Sequence, residues 1–203
     1  MPAFPDFDYF FAIDILKISK FTLSLSGIIG CVFTLLWPSI YQKFLRDSEY
    51  SNMFCISQVL YIVQAALFMC MALRLNLIIG FPDMAAYLIF GPVVHTLEKC
   101  LTYMPMFIIM AKIIPPGVEA TFMSLASTIH VLNQHTMRVI VGVIINDNTI
   151  DVTKEHFDGY YKLQIIAGVG AMIPLLYIYR MVPKVLEVKE LQDKNIQKIK
   201  TIQ

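Results

Sequence analysis

Two stretches of this chain place ionisable and amide side chains among residues that are otherwise almost all apolar. In the first, His95, Glu98, Lys99 and Thr102 fall within roughly 100° of arc on a helix that advances about 100° per residue. In the second, Glu119, Ser127, His130, Asn133, Gln134 and Arg138 share an arc of roughly 140°, His135 points away, and the stripe from Glu119 to Arg138 runs about 28 Å. A polar stripe as long as a membrane core is thick cannot face lipid. These residue types leave two chemistries open. The groups pair across helices as interhelical glue, or they line a path for a polar substrate. His95-x-x-Glu98 also has ligand-like spacing, but a second such pair is missing from the neighbouring stretch, so neither a metal nor a cofactor is expected. A tight hairpin between the stretches sets Glu98 level with residues 130–133, which predicts a cluster of Glu98, Lys99, His130 and Asn133.

The elements that position these residues follow from composition. The chain is 57% hydrophobic and 15% charged, with a mean hydropathy of +0.65, whereas soluble domains carry about 25% charged residues. This is the composition of an all-α integral membrane protein. A net charge of +1 gives no hint of a nucleic-acid partner. Cys31, Cys55, Cys70 and Cys100 all fall in apolar segments, and neither a disulfide framework nor a metal site is expected of them. The opening Met1-Pro2-Ala3-Phe4-Pro5-Asp6-Phe7-Asp8 has neither the basic flank of a signal peptide nor the Arg/Ser-rich character of a transit peptide.

Crossing a hydrocarbon core of about 30 Å takes roughly 20 apolar residues. Residues 21–42, 53–73 and 163–179 meet this cleanly, and residues 84–111 and 120–146 meet it with polar interruptions, which predicts five spans within a domain covering 21–183. The aromatic and acidic residues from Phe4 to Ile18 suggest that residues 1–20 form an interfacial segment. Trp37-Pro38 and Tyr41, then Lys43 and Arg46, read as an aromatic belt followed by snorkelling cations. Asn76, Gly80, Phe81, Pro82 and Asp83 form a turn. Pro115-Pro116-Gly117 breaks the helix between spans 3 and 4, and Glu119 then sits in the first turn of span 4, where the helix dipole favours a carboxylate. Residues 146–159 make an acidic loop, and residues 184–203 a polar tail whose lysines read as a solvated face or an anionic-lipid contact. Five Lys and Arg lie with the N-terminal segment and loops 2-3 and 4-5, against nine with loops 1-2 and 3-4 and the tail. The positive-inside rule therefore places the C-terminus on the cytoplasmic or matrix side. Gln58, Gln64, Ser24, Ser26 and Thr34 read as helix-helix hydrogen bonds. With no nucleophile motif, phosphate loop or paired-cysteine signature, an enzyme is not expected.

Pro116-Gly117-Val118-Glu119-Ala120-Thr121-Phe122, with Asn133 after an apolar run, resembles the Pro-x-Gly-x-Glu-(small)-Thr stretch of the folate-biopterin transporter family of the major facilitator superfamily. Phe10-Phe11, Leu16-Lys17-Ile18-Ser19, the small residues Gly27 and Gly30, and Tyr41-Gln42-Lys43-Phe44-Leu45 are similar to that family's eighth helix and its lead-in. The resemblance runs from about Phe4 to Pro183. It implies that the five spans correspond to helices eight to twelve of a twelve-helix transporter, and it singles out Glu119 and Asn133. The chain departs from the pattern at Gln134-His135, where a small residue is typical.

Such transporters bind substrate between two six-helix halves and alternate access by rocking one against the other. Because helices one to seven have no counterpart here, the leading expectation is a non-transporting, transporter-derived subunit of a larger membrane assembly, contacting lipids and other membrane subunits. A respiratory-type complex of the mitochondrial inner membrane is one such home, and the plasma membrane another. The alternative is part of a pterin or folate carrier working by alternating access, with Arg138 or Lys99 attracting an anionic substrate and Glu98 or Glu119 coupling protons.

Overall fold

The computed structural model describes the chain apart from residues 1, 3, 46, 47, 79, 116, 151, 153–156, 158 and 203, and apart from the side chains of Asp6 and residues 194–202. Arg46 of the expected cation pair, Pro116 of the hinge, and Asp151, Lys154, His156 and Asp158 of the acidic loop thus lie outside the described residues.

The described residues are helical, with no strand among them. Three continuous helices are long and apolar enough to cross a membrane: α2 (Lys20–Phe44), α3 (Tyr50–Ala72) and α9 (Tyr160–Met181). The two polar-interrupted spans are also helical from end to end, but in pieces. One runs as α5 (Asp83–Ile89), a π-helical turn (Phe90–Val94) and α6 (His95–Ile113). The other runs as α7 (Glu119–Leu132), a π turn (Asn133–Met137), α8 (Arg138–Ile145) and a further π turn (Asn146–Ile150). The remaining helices are α1 (Pro5–Phe10), which continues as a π turn (Phe11–Ile15), the short α4 (Leu75–Ile78), and α10 (Val185–Ile202) in the polar tail.

Local chemistry sets several of these boundaries. The Ser19 hydroxyl accepts the Thr22 N–H at 3.1 Å and caps the start of α2. Pro92 sits inside the π turn Phe90–Val94, where its missing N–H removes an i→i−4 bond. Gly117 has φ +95°, a conformation that glycine adopts without steric cost, and it separates α6 from α7.

α3 is the central helix. It packs along α9 on one side and α6 on the other, while α2 covers α6 and the π turn before it. Two apolar clusters bracket the middle of α3. Met53 at one end joins Tyr41, Cys100 and Leu101. Met71 at the other joins Phe11, Ala12, Leu16, Ile18, Ala86 and Tyr160, with the Phe11 and Tyr160 rings stacked at 4.4 Å. An interfacial segment would lay its apolar face on lipid, yet Phe11 and Ala12 are 2% and 0% exposed, buried against protein. Trp37 also differs from its expected place at the end of a span. α2 continues past it to Phe44, and its indole N–H donates to Thr96 Oγ1 at 3.1 Å. The start of the polar tail is docked as well: α10 packs on α6 with Val188 fully buried, and the Val185 N–H donates to Glu49 Oε2.

The turn between α3 and α5 is tied by charge. Asp83 accepts from the Arg74 guanidinium and from Asn76 Nδ2 at 2.6 Å, while Arg74 also donates to the Ile15 carbonyl at 2.8 Å. Replacing Asp83 by Ala leaves two donors without their acceptor, which should cost about 1–3 kcal/mol. A lowered midpoint in SDS denaturation is the expected outcome, and an unchanged midpoint would show that solvent replaces the carboxylate freely.

Candidate functional site

Between the two apolar clusters lies a cavity of about 750 Å³. His95, Glu98, Lys99 and Thr102 of α6 line it together with His130, Asn133, Gln134 and Arg138 of the α7–α8 stretch. The two stripes inferred from sequence therefore face one space, and the expected cluster of Glu98, Lys99, His130 and Asn133 borders it.

Three details differ from the ideal-helix reading. Glu119 does not line the cavity. It is exposed at the start of α7, where its Oε2 accepts the Gly117 N–H at 2.8 Å, and Ser127 is likewise absent from the lining. His135, expected to point away, does line the cavity. Residues 133–137 form a π turn with i→i+5 bonding, which rotates the following residues relative to a uniform α-helix. The register between the stripes is shifted too. Tyr103, not Glu98, meets His130 (ring centroids 4.7 Å apart) and donates its hydroxyl hydrogen to Gln134 Oε1. Glu98 instead lies in the field of Arg138 and Lys99. α7 touches α6 over only a few residues, so the long side chains of Tyr103 and Arg138, rather than close antiparallel packing, set which levels meet.

Some of the glue chemistry is present. Ser57 and Thr102 share a hydroxyl hydrogen bond at 2.5 Å, and both hydroxyls reach Glu98 Oε1 at 3.4 and 3.5 Å. Arg138 donates to the Tyr61 hydroxyl at 3.2 Å and sits 5.4 Å from the centre of that ring. The charged residues that line the cavity are two acids, Asp8 and Glu98, and two bases, Lys99 and Arg138, which balance formally. Among the described residues, no group of three or more His, Cys, Asp or Glu side chains comes together as a metal site would need.

Several lining residues escaped the sequence reading. Asp8, placed by sequence in the interfacial segment, reaches the cavity, where Tyr160 Oη donates to its Oδ1 at 2.6 Å and Gln164 Nε2 at 2.8 Å. Gln58 and Gln64, expected to bond between helices, instead border the cavity, and their Oε1 atoms are buried without a hydrogen-bond partner among the described residues. The signal that could have found them is their spacing with Tyr61, which puts all three on one face of α3.

Burial raises the Asp8 carboxyl from 3.8 to about 6, outweighing the lowering effect of its two hydrogen bonds. A folded-state value above the unfolded one makes the group's contribution complete below the unfolded pKa and lost as pH rises through the folded pKa. D8N keeps an oxygen acceptor without the charge. The native protein should therefore match D8N in thermal stability at about pH 4 and fall behind it at about pH 8. A pH-independent difference between the two would show that Asp8 is hydrated in place.

Comparison with known proteins places this arrangement in context. The BT1 family profile matches residues 7–200. The chain is similar to probable folate-biopterin transporter 2 of Arabidopsis thaliana, with 26% identity over 77% of the chain and 30% of that protein. It is 23% identical to the folate-biopterin transporter of a Synechocystis strain, over 78% of the chain and 30% of the relative. Probable folate-biopterin transporter 4 of Arabidopsis is 22% identical over 87% of the chain and 35% of its own length. The chain thus spans about a third of the length of the curated relatives it matches. No solved structure matches it.

Proposed function

We propose that this chain, which belongs to the BT1 family, forms the part of a membrane transporter that corresponds to helices eight to twelve, and that its cavity is one wall of the path for an anionic pterin or folate. Family membership and the printed functions of the relatives support transport as the activity. The observation that carries the location is the convergence of Glu98, Lys99 and Arg138 on a cavity near the middle of α3, the depth at which transporters of this architecture hold substrate. Lys99 and Arg138 are the groups there that can meet an anion, and Arg138 offers a planar fork suited to a carboxylate.

The leading expectation from sequence, a non-transporting subunit, has no support in these relatives, all of which are named as transporters. A transporter also accounts for the looseness of α7, which buries none of its residues. In transporters of this architecture, substrate lies between two bundles, so one helix face is completed by the opposing half.

Uptake by the full protein in intact cells tests the proposal. R138M should reduce pterin or folate uptake at least about tenfold while the protein remains in the membrane at its normal level, since a charged hydrogen bond to substrate is worth roughly 1.5–3 kcal/mol. Loss of the protein or of its assembly with unchanged uptake per molecule would restore the subunit reading.

A further inference from the structure

The two acids that line the cavity have different surroundings. Glu98 lies in the field of Arg138 and Lys99 and is reached by the hydroxyls of Ser57 and Thr102. Asp8, on α1, has neutral neighbours. Tyr160 and Gln164 of α9 both donate to its Oδ1, Tyr61 of α3 and Tyr87 of α5 lie within its field, and it forms no ion pair with a described residue. His95 on α6 and His130 and His135 on the α7–α8 stretch also line the cavity, and none of them bonds to Asp8. Asp8 is only half-buried, and both of its donors take Oδ1, so Oδ2 is the oxygen left to a proton. A carboxylate in an apolar bundle without a counter-cation sheds its charge by taking a proton. Burial already moves Asp8 in that direction, to about 6, so modest acidity protonates it. Glu119, the other sequence candidate for carrying a proton besides Glu98, is exposed at the start of α7 and off the cavity.

We propose that Asp8 is the proton-carrying residue of the transport cycle, binding one proton at Oδ2 as the cavity takes up an anion and releasing it as the anion leaves. This deepens the transport reading and rests on it. Coupling follows from the charge count. With Asp8 and Glu98 ionised, the empty cavity balances Lys99 and Arg138. A proton on Asp8 leaves one positive charge over, and one anion at Arg138 restores the balance. Protonated Asp8 therefore makes the cavity favour an anion, and by linkage a bound anion makes Asp8 hold its proton more tightly. The two cross together without leaving net charge in a low-dielectric site. Tyr160 and Gln164 set the proton affinity, because their hydrogen bonds favour the ionised carboxylate and oppose the effect of burial.

The test uses the full protein in proteoliposomes, with a pH-sensitive dye inside and labelled pterin-6-carboxylate, a compound with one carboxylate, outside. With the outside about one pH unit more acidic, the native protein should concentrate the label about tenfold and acidify the lumen in step. D8N should lose both the accumulation and the proton movement. It should still exchange internal label for external unlabelled compound, a half-cycle that moves no net proton. Y160F keeps the ring that stacks on Phe11 but removes one donor to Asp8, so the pH of half-maximal uptake should move upward. A merely structural role would leave that profile in place, and it decides the matter should D8N fail to reconstitute. Native uptake that ignores the pH gradient, a D8N protein that still accumulates label, or an unmoved Y160F profile would overturn this inference and leave transport standing. Absence of any pterin or folate uptake by the native protein would overturn both.

Discussion

The structure depends on one constraint: ionisable and amide groups placed inside an apolar bundle must find one another, because hydrocarbon offers them nothing. α3 is where that requirement is met. Its Ser57 links to Thr102 and Glu98, its Tyr61 to Arg138, and its Gln58 and Gln64 turn toward the same cavity. Beyond its first turn the helix is otherwise apolar, so this short polar row decides which faces of α6 and the α7–α8 stretch turn inward. Apolar packing then closes the ends, around Met53 and around Met71. Polar contacts set the middle of the bundle and hydrophobic burial its two ends.

The α7–α8 stretch shows what happens when the constraint is met on one side only. Its inward residues contact Tyr103 and Tyr61, while Phe122, Leu125, Ile129 and Val131 remain about half exposed. A helix held mainly by long side chains can carry a π turn at modest cost, because no close-packed neighbour demands a regular ridge there. The extra residue in that turn brings His135 onto the cavity beside Asn133 and Gln134, where a regular helix would point it away. In the transport reading this exposed face is the one an opposing bundle would complete.

Much of this was legible in the residues, and the rest was hidden for identifiable reasons. Hydropathy marks α2, α3 and α9 because an uninterrupted apolar run has little choice in a membrane. Helical periodicity put His95, Glu98 and Lys99 on one face, and His130, Asn133, Gln134 and Arg138 on another, and both sets line the cavity. It failed at His135 and in the register, because the π turn at Asn133–Met137 contains no proline or glycine to announce it. Asp8 was hidden by its short segment: with Asp6 and Asp14 nearby it reads as surface, and only the contacts with Tyr160 and Gln164, more than 150 residues away, bring it inside. Gln58 and Gln64 were assigned to ordinary interhelical bonding, which depends on partners that a single sequence does not reveal.

Charge is balanced inside the cavity before anything enters it. Glu98 lies in the field of both Arg138 and Lys99, Arg138 also hydrogen bonds to Tyr61, and Asp8 accepts from Tyr160 and Gln164. A buried charge stripped of its partner costs more than most new contacts return. In the transport reading, an anion that takes Arg138 leaves Glu98 with Lys99, so the exchange proceeds without an unpaired carboxylate, and the second cation is what makes it feasible.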